Sequence, residues 1–204
     1  MNNLLNDILS NKSPENEFQD EADFESFLVN QLRASGCNIC SAGTQKLAFY
    51  FVRRDQRLEA RYDIIAEYQK NIYALELKLI DTIAGMPNLA RFDILNDFQR
   101  VGCFKRKHKA NGFAITLTNQ KKLWEVDISP RPIWGSYFSV HEGRSLPRGA
   151  ELDWNYEANR DNHNPEGALT PLRINWSPIK IFNTQTCNWQ KSAMKGFKYM
   201  LLQA

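Results

Sequence analysis

The sequence predicts a domain of the α/β class, and three observations predict it. An amphipathic helix stands near the start, a block of apolar strands follows it, and a second helix leads into one more apolar strand. With 204 residues the chain is long enough to bury one hydrophobic core. Its 43% hydrophobic and 24% charged residues exclude the fibrous and disordered classes and are typical of a globular protein.

The first helix is predicted over residues 17–35. Four apolar residues recur there at helical spacing: Phe24, Phe27, Leu28 and Leu32. Gly36 is well placed to end the helix, because glycine readily adopts the left-handed conformation that commonly follows a helix. We interpret residues 1–16 as an N-terminal tail or a short leading helix.

Three strands are predicted after this helix, over residues 47–52, 61–68 and 72–80. Residues 47–52 are apolar without a break, which is typical of a buried strand. Lys70-Asn71 is the tight turn expected between the second and third strands. The three strands together are expected to form a meander.

A second helix is predicted over residues 91–107 and a strand over residues 113–118, with Asn111-Gly112 as the turn between them. A strand, a helix and a further strand in this order favour parallel pairing of the two strands through a right-handed crossover. We therefore expect a core that spans residues 17–128.

The last part of the chain, residues 129–204, is predicted to be an irregular, β-rich extension packed on the core. Prolines divide it into loops and short strands. A closing amphipathic helix is predicted over residues 185–202. Its expected buried stripe consists of Trp189, Ala193, Met194, Phe197 and Leu201.

Charge and composition limit the function classes. The formal net charge of +3 is too small to require a nucleic-acid partner, so local clusters of charge matter more. No apolar run approaches the roughly 20 residues of a membrane span. The first residues lack the pattern of a signal peptide, so we expect no membrane association and a cytoplasmic location. Cys37 and Cys40 have zinc-knuckle spacing, but no second pair completes a four-ligand site.

The third predicted strand carries two charges on one face. Side chains alternate along a strand, so Glu76 and Lys78 share a face while Leu75 and Leu77 share the other. Charges on a central strand are costly unless they are paired or bind a metal. A two-residue turn at Lys70-Asn71 would place Asp63 opposite Lys78, on the same face. A three-residue turn would place Asp63 on the wrong face unless a bulge compensates.

Asp63, a spacer and then Glu76-Leu77-Lys78 resemble the signature of the PD-(D/E)xK, or restriction-endonuclease-like, nuclease superfamily. The predicted order of helix, three-strand meander, helix and strand is similar to the common core of that superfamily. The resemblance covers roughly residues 17–119. It departs at Tyr62, where the signature often has proline.

The resemblance implies phosphodiester cleavage that depends on Mg²⁺ or Mn²⁺. It implies that Asp63 and Glu76 hold the metal and that Lys78 orients the attacking water or offsets negative charge. Glu25, in preference to Glu21, is expected to add a third acidic ligand from the first helix. Each residue also has a simpler interpretation. Glu76 and Lys78 would then be a surface ion pair, Asp63 a turn cap, and the two glutamates a solvated helix face.

Nucleic acid, with DNA expected, is the partner that this chemistry implies, and a homodimer or larger complex is left open. Residues expected to contact it are Arg61, Gln99, Lys105, Arg106 and Lys107. Basic residues near the end of a helix also favour the helix dipole, and the simpler interpretation of Gln99 is a structural role. The alternative function is a non-catalytic nucleic-acid-binding or assembly subunit on the same fold. The third hypothesis is a host-factor or phage structural protein in which Glu76-Leu77-Lys78 occurs by chance.

Overall fold

The computed structural model describes residues 1–14, 17–53, 56–81, 87–126, 138–152 and 179–204. The α-helices are α1 (Asn2–Asn11), α2 (Glu21–Ala34), α3 (Pro87–His108) and α4 (Lys121–Trp124), and a 3₁₀ turn, η1, covers Gly43–Gln45. The first six strands are β1 (Asn38–Ser41), β2 (Ala48–Arg53), β3 (Gln56–Arg61), β4 (Ile64–Tyr68), β5 (Asn71–Ile80) and β6 (Asn111–Thr118). The later strands are β7 (Ser145–Leu146), β8 (Glu151–Leu152), β9 (Ile179–Lys180), β10 (Gln185–Thr186), β11 (Trp189–Lys191) and β12 (Lys198–Gln203). None of the described helices has the length and apolar composition needed to cross a membrane.

The fold is mixed α/β with a mostly antiparallel sheet. Its six strands lie in the order β1-β4-β5-β6-β12-β11, and only the central β5–β6 pair is parallel. The predicted parallel step from β5 through α3 to β6 is therefore confirmed. Strands β2 and β3 pair with each other outside this sheet, as do β7 with β10 and β8 with β9.

The sheet separates two layers of apolar side chains. Helices α1 and α2 pack on one face, where they meet Leu75 and Leu77 of β5. Helix α3 packs on the other face, where it meets Ala74 and Ile80. A Cβ atom added at Gly112 would lie 2.6 Å from the Cβ of Val101, so α3 approaches the sheet closely there. Neighbouring residues of β5 thus belong to different layers, as strand alternation requires.

The two N-terminal helices begin and end for local reasons. Asp20 caps α2 by accepting a hydrogen bond from the backbone N–H of Asp23, so this helix starts four residues later than predicted. Gly36 follows α2 with a φ of +84°, as expected for a residue that ends a helix. Of the two interpretations of the first sixteen residues, the structure has the helix, and it buries Leu5, Ile8 and Leu9.

The turn between β4 and β5 lies one residue earlier than predicted. Gln69 and Lys70 occupy it with φ angles of 51° and 62°, and Tyr68 pairs with Asn71. The prediction of Lys70-Asn71 was wrong because two positive φ angles, not residue type alone, define this turn. The register of β4 on β5 therefore differs from the predicted one by two residues. Ile64 pairs with Leu75, so Asp63 lies nearest to Glu76 along β5 and not to Lys78. An even shift preserves the face on which each side chain lies.

The predicted three-strand meander is correct only in part. Residues 61–68 are not one strand, because β3 ends at Arg61 and β4 begins at Ile64. The apolar run at 47–52 falls in β2 and pairs with β3, so the antiparallel strands of the main sheet are β1, β4 and β5. The break between β3 and β4 falls at Tyr62 and Asp63. The buried Tyr62 ring packs on Phe104, and the Asp63 carboxylate accepts a hydrogen bond from a backbone N–H of β5.

The closing helix predicted over residues 185–202 is wrong, since β10, β11 and β12 occupy this region. Tyr199 and Met200 are adjacent and fully buried in different layers, which a strand allows and one helical stripe does not. β12 pairs along β6, with Leu201 opposite Ile115, and Gly196 turns the chain with a φ of +85°. Tertiary pairing therefore overrides the helical spacing of the apolar residues.

The second predicted helix is confirmed as α3, and the strand after it as β6. Asn111 and Gly112 are the first residues of β6 and not a turn. Lys109, with a φ of 52°, lies at the bend between the two elements. Predictions for the loops at 127–137 and 153–178 lie outside the described residues.

We expect the double substitution Gln69→Asn with Lys70→Gly to stabilise the protein by about 1 kcal/mol, because these residues tolerate the positive φ angles of the turn. Chemical denaturation would measure the change. The matched control moves the same dipeptide one position on, as Lys70→Asn with Asn71→Gly, and should destabilise. Stabilisation by the control instead would mean that β4 and β5 pair in the other register.

Candidate active site

Asp63 lies at the joint between β3 and β4, beside the middle of β5. Its Oδ2 accepts a hydrogen bond from the backbone N–H of Leu77 at 2.8 Å. Its Oδ1 accepts one from Lys46 Nζ at 2.6 Å. The preceding Tyr62 is buried and donates its hydroxyl to the carbonyl of Arg100 at 3.1 Å. Backbone pairing and a buried ring thus fix the position of the Asp63 carboxylate.

Glu76 extends from β5 toward α3 and is 2% exposed. Its Oε1 lies 3.0 Å from an Arg100 guanidinium nitrogen, which is close enough for an ion pair. The angles are not those of a hydrogen bond, and this buried oxygen has no hydrogen-bond donor among the described residues. Burial raises the pKa of Glu76 well above its ordinary value; Arg100 opposes this shift, and the charges of Asp97 and Asp63 add to it.

Asp97 and Arg100 on α3 complete this side of the site, and neither was predicted from the sequence. Arg100 donates to the carbonyl of Arg61 at 2.7 Å and lies 3.7 Å from the Asp97 carboxylate. Asp97 is also buried, and burial raises its pKa to about 7 against the opposing charges of Lys78 and Arg100. The sequence did contain a signal for them. Asp97 and Arg100 are opposite charges three residues apart, so they lie on one face of the predicted helix, among its apolar residues.

Lys78 extends from β5 to the start of α2. Its ammonium lies 3.2 Å from Glu21 Oε2, and the same oxygen accepts the backbone N–H of Leu79 at 3.3 Å. Burial alone would lower the pKa of Lys78, but the charges of Asp97 and Glu21 raise it overall. Lys78 is therefore a protonated, held cation at neutral pH.

Two of the three acidic residues of α2, Glu21 and Glu25, take part in the candidate site. Glu25 lies 3.2 Å from Lys46 Nζ and also accepts the backbone N–H of Gly43. Glu21 reaches Lys78 instead. The prediction chose Glu25 over Glu21, whereas the structure turns both toward the site and makes neither a solvated helix face. Glu25 has the more buried side chain, 12% exposed against 41% for Glu21.

The residues predicted to contact nucleic acid divide into two groups. Gln99 is buried, and its Oε1 accepts the backbone N–H of Lys180 at 2.6 Å, so it joins β9 to α3 and offers no exposed group to a phosphate. Arg61 is exposed, and at the end of α3 Arg106 and Lys107 are exposed and Lys105 is half-buried. Contact of these four with a phosphate backbone stays a prediction.

The oxygen donors present fit a hard divalent cation with few protein ligands. Within the ranges that the structure describes, no three residues of the types His, Cys, Asp and Glu converge closely enough to hold a metal. Mg²⁺, however, commonly binds through one or two carboxylates and keeps several of its waters. Asp63 and Glu76 supply two, and the Glu76 oxygen, which receives no hydrogen bond among the described residues, already has the Arg100 cation as its ion-pair partner. Glu25 as a third ligand stays a prediction.

Comparisons with known proteins leave the function open. No protein-family model and no curated protein matches the chain. The crystal structure of a protein designated SSO0001 aligns with 47% of this chain and 44% of that chain, at 12% identity and a TM-score of 0.31. The alignment thus spans less than half of either chain and carries no argument. The functional argument therefore depends on the geometry of the site.

We expect Asp97→Asn to change how stability depends on pH. Because the folded-state pKa of Asp97 is raised to about 7, its protonated form favours the folded state, and this contribution is lost as pH rises through that value. The free energy of unfolding of the wild type, relative to the variant, should therefore fall between pH 4.5 and pH 8, by on the order of 1–4 kcal/mol. Denaturant titrations at several pH values measure this difference.

The control for this experiment is Asp97→Leu, which also removes the charge. It should show the same pH slope as Asp97→Asn, with a different constant offset from lost or gained packing. A difference from the wild type that is constant across the pH range, in both variants, would contradict a raised pKa at Asp97.

Proposed function

We propose that this protein is a metal-dependent nuclease that hydrolyses phosphodiester bonds, with DNA as the expected substrate. The observation that carries the proposal is the position of the Asp63 carboxylate, bonded to the backbone N–H of Leu77 beside the buried Glu76 in the middle of β5. Glu76 Oε1 forms an ion pair with Arg100 but receives no hydrogen bond among the described residues, and Lys78 follows two residues later on the same strand. The chain would act in restriction, repair, recombination or defence against mobile elements. Its residues match the PD-(D/E)xK signature at the same three positions.

The order of elements supports a restriction-endonuclease-like core. Helix α2 precedes the antiparallel strands β1, β4 and β5, and α3 then leads to β6, which is parallel to β5. This is the order of helix, three strands, helix and strand that the resemblance implies. The β2–β3 hairpin would be an insertion between the first and second strands of that core.

Each side chain has a role that its contacts support. Asp63 and Glu76 would hold Mg²⁺ or Mn²⁺, which, when bound, supplies Lewis-acid activation of water and phosphate. Lys78 is held charged by Glu21 and would offset the negative charge that develops on the phosphate. Because Glu76 is shielded from water, interactions between charges there are stronger than at the surface.

A second candidate is a non-catalytic nucleic-acid-binding subunit on the same fold. The observation that favours it is that the chain itself supplies cations to the two proposed ligands of the metal. Lys46 contacts Asp63, and Arg100 contacts Glu76. In either function the exposed basic residues at the end of α3, Arg106 and Lys107, are available for phosphates.

We expect Glu76→Gln to abolish metal-dependent cleavage while the protein still folds. The substitution keeps the shape of the side chain but removes a charge that holds the cation, and it also relieves repulsion with Asp63 and Asp97. Without metal the variant should be at least as stable as the wild type. Cleavage assays on linear, circular and single-stranded DNA, with Mg²⁺, Mn²⁺ or a chelator, and thermal melts measure both effects.

Two further variants define the test. Lys78→Ala should lower turnover but affect metal binding less than Glu76→Gln, since Lys78 is not a ligand. Glu67→Gln, an exposed charge on the adjacent strand, is the matched control and should cleave as the wild type does. DNA binding should survive in all three. Undiminished cleavage by Glu76→Gln would refute the mechanism, and a wild type that binds DNA without cleaving it under any divalent metal would support the non-catalytic subunit.

A further inference from the structure

The ammonium group of Lys46 lies between two acidic residues that belong to different elements of the fold. Its Nζ lies 2.6 Å from Asp63 Oδ1 and 3.2 Å from Glu25 Oε2. These carboxylates come from the β3–β4 joint and from α2, and each is largely buried. Nothing in the local sequence pattern links Lys46 to them, since it follows the η1 turn before β2. The fold therefore builds a cation position that the lysine fills.

Two observations show that this position suits a cation beyond the lysine itself. The neighbouring Glu76 has a buried oxygen that forms an ion pair with Arg100 at 3.0 Å but receives no hydrogen bond in the described part of the chain. The charges of both Asp63 and Lys46 also act on Glu76, so the carboxylates form one electrostatic unit. A divalent ion that bound Asp63 would meet Lys46 in the same space, and like charges at such short range repel strongly where water is partly excluded.

The backbone around Lys46 is anchored without its side chain. The backbone N–H of Gly43 donates to Glu25, and that of Leu47 donates to Ser41 Oγ at 2.7 Å. The Lys46 side chain is 26% exposed, so it has a path to water. Its ammonium can therefore leave the carboxylates while the surrounding segment stays in place.

We propose that Lys46 is an exchangeable counter-ion that occupies the acidic site without metal and is displaced when a divalent cation binds Asp63. The exchange would make the site stable when empty and would set the metal concentration at which it is loaded. By linkage, metal binding weakens the contact of Lys46 with Asp63 by the same factor by which that contact weakens metal binding. The inference depends on the metal site of the proposed function, but not on cleavage.

The first test compares metal binding by Lys46→Gln and the wild type, with isothermal titration calorimetry using Mg²⁺ and Mn²⁺. Loss of the competing charge should lower the Kd by about tenfold. Thermal melts should show a lower Tm than the wild type in chelator and a larger rise in Tm on adding metal. Lys180→Gln is the matched control, because it removes a lysine that pairs with Glu151 at 2.7 Å outside the site, and it should bind metal as the wild type does. An unchanged or weaker affinity in Lys46→Gln would overturn the proposal.

The second test uses the wild-type protein and does not depend on the folding of a variant. Acetylation of lysines by a small reagent, followed by mass spectrometry, reports how accessible each amine is. Saturating metal should increase labelling of Lys46 and leave that of Lys180 unchanged. Labelling of Lys46 that does not respond to bound metal would overturn the exchange, as would a protein that binds neither cation. Metal binding with Lys46 release but no DNA cleavage would contradict the proposed function alone.

Discussion

Glu76 carries a carboxylate into the buried side of a central strand, where water cannot solvate it, and the neighbouring elements are arranged around that charge. An isolated buried carboxylate is costly and is tolerated when cations, polar groups or a proton compensate it. Here α3 brings the Arg100 guanidinium to within 3.0 Å, while Asp97 and Asp63 oppose that compensation. Packing of α3 on the sheet and the chemistry of the site are therefore coupled. The close approach of this helix at Gly112 places Arg100 at a defined height above β5.

The face of β5 that carries the site could be predicted from the sequence because strand alternation depends only on odd and even positions. Misplacing the turn by one residue moved the expected pairing by two, so Asp63, Glu76 and Lys78 kept their predicted sides. The start of β4 was less predictable. Its break at Tyr62 depends on a ring that packs on Phe104, far away in sequence, and no local pattern shows that contact.

The partners of the site residues were not predictable for a related reason. Lys46, Asp97 and Arg100 reach the carboxylates only after α2, α3 and the η1 turn have packed on or beside the sheet. The prediction of a closing helix was wrong for the same reason. β12 pairs with β6, and this pairing places Tyr199 and Met200 in different layers of the core. The sequence shows which residues are apolar there, but these residues form a strand because they pair with the edge of β6.

The charges of the site are unbalanced in a way that connects its pKa shifts to a metal. Its carboxylates are those of Glu21, Glu25, Asp63, Glu76 and Asp97, and its cations are Lys46, Lys78 and Arg100. If all eight of these groups are ionised, they leave an excess of two negative charges. Burial raises the pKa values of Glu76 and Asp97, the nearby carboxylates add to this shift, and a bound divalent cation would compensate the same excess of charge. A cation that bound Glu76 would compete with the proton on that carboxylate, so its affinity should increase with pH until Glu76 is ionised.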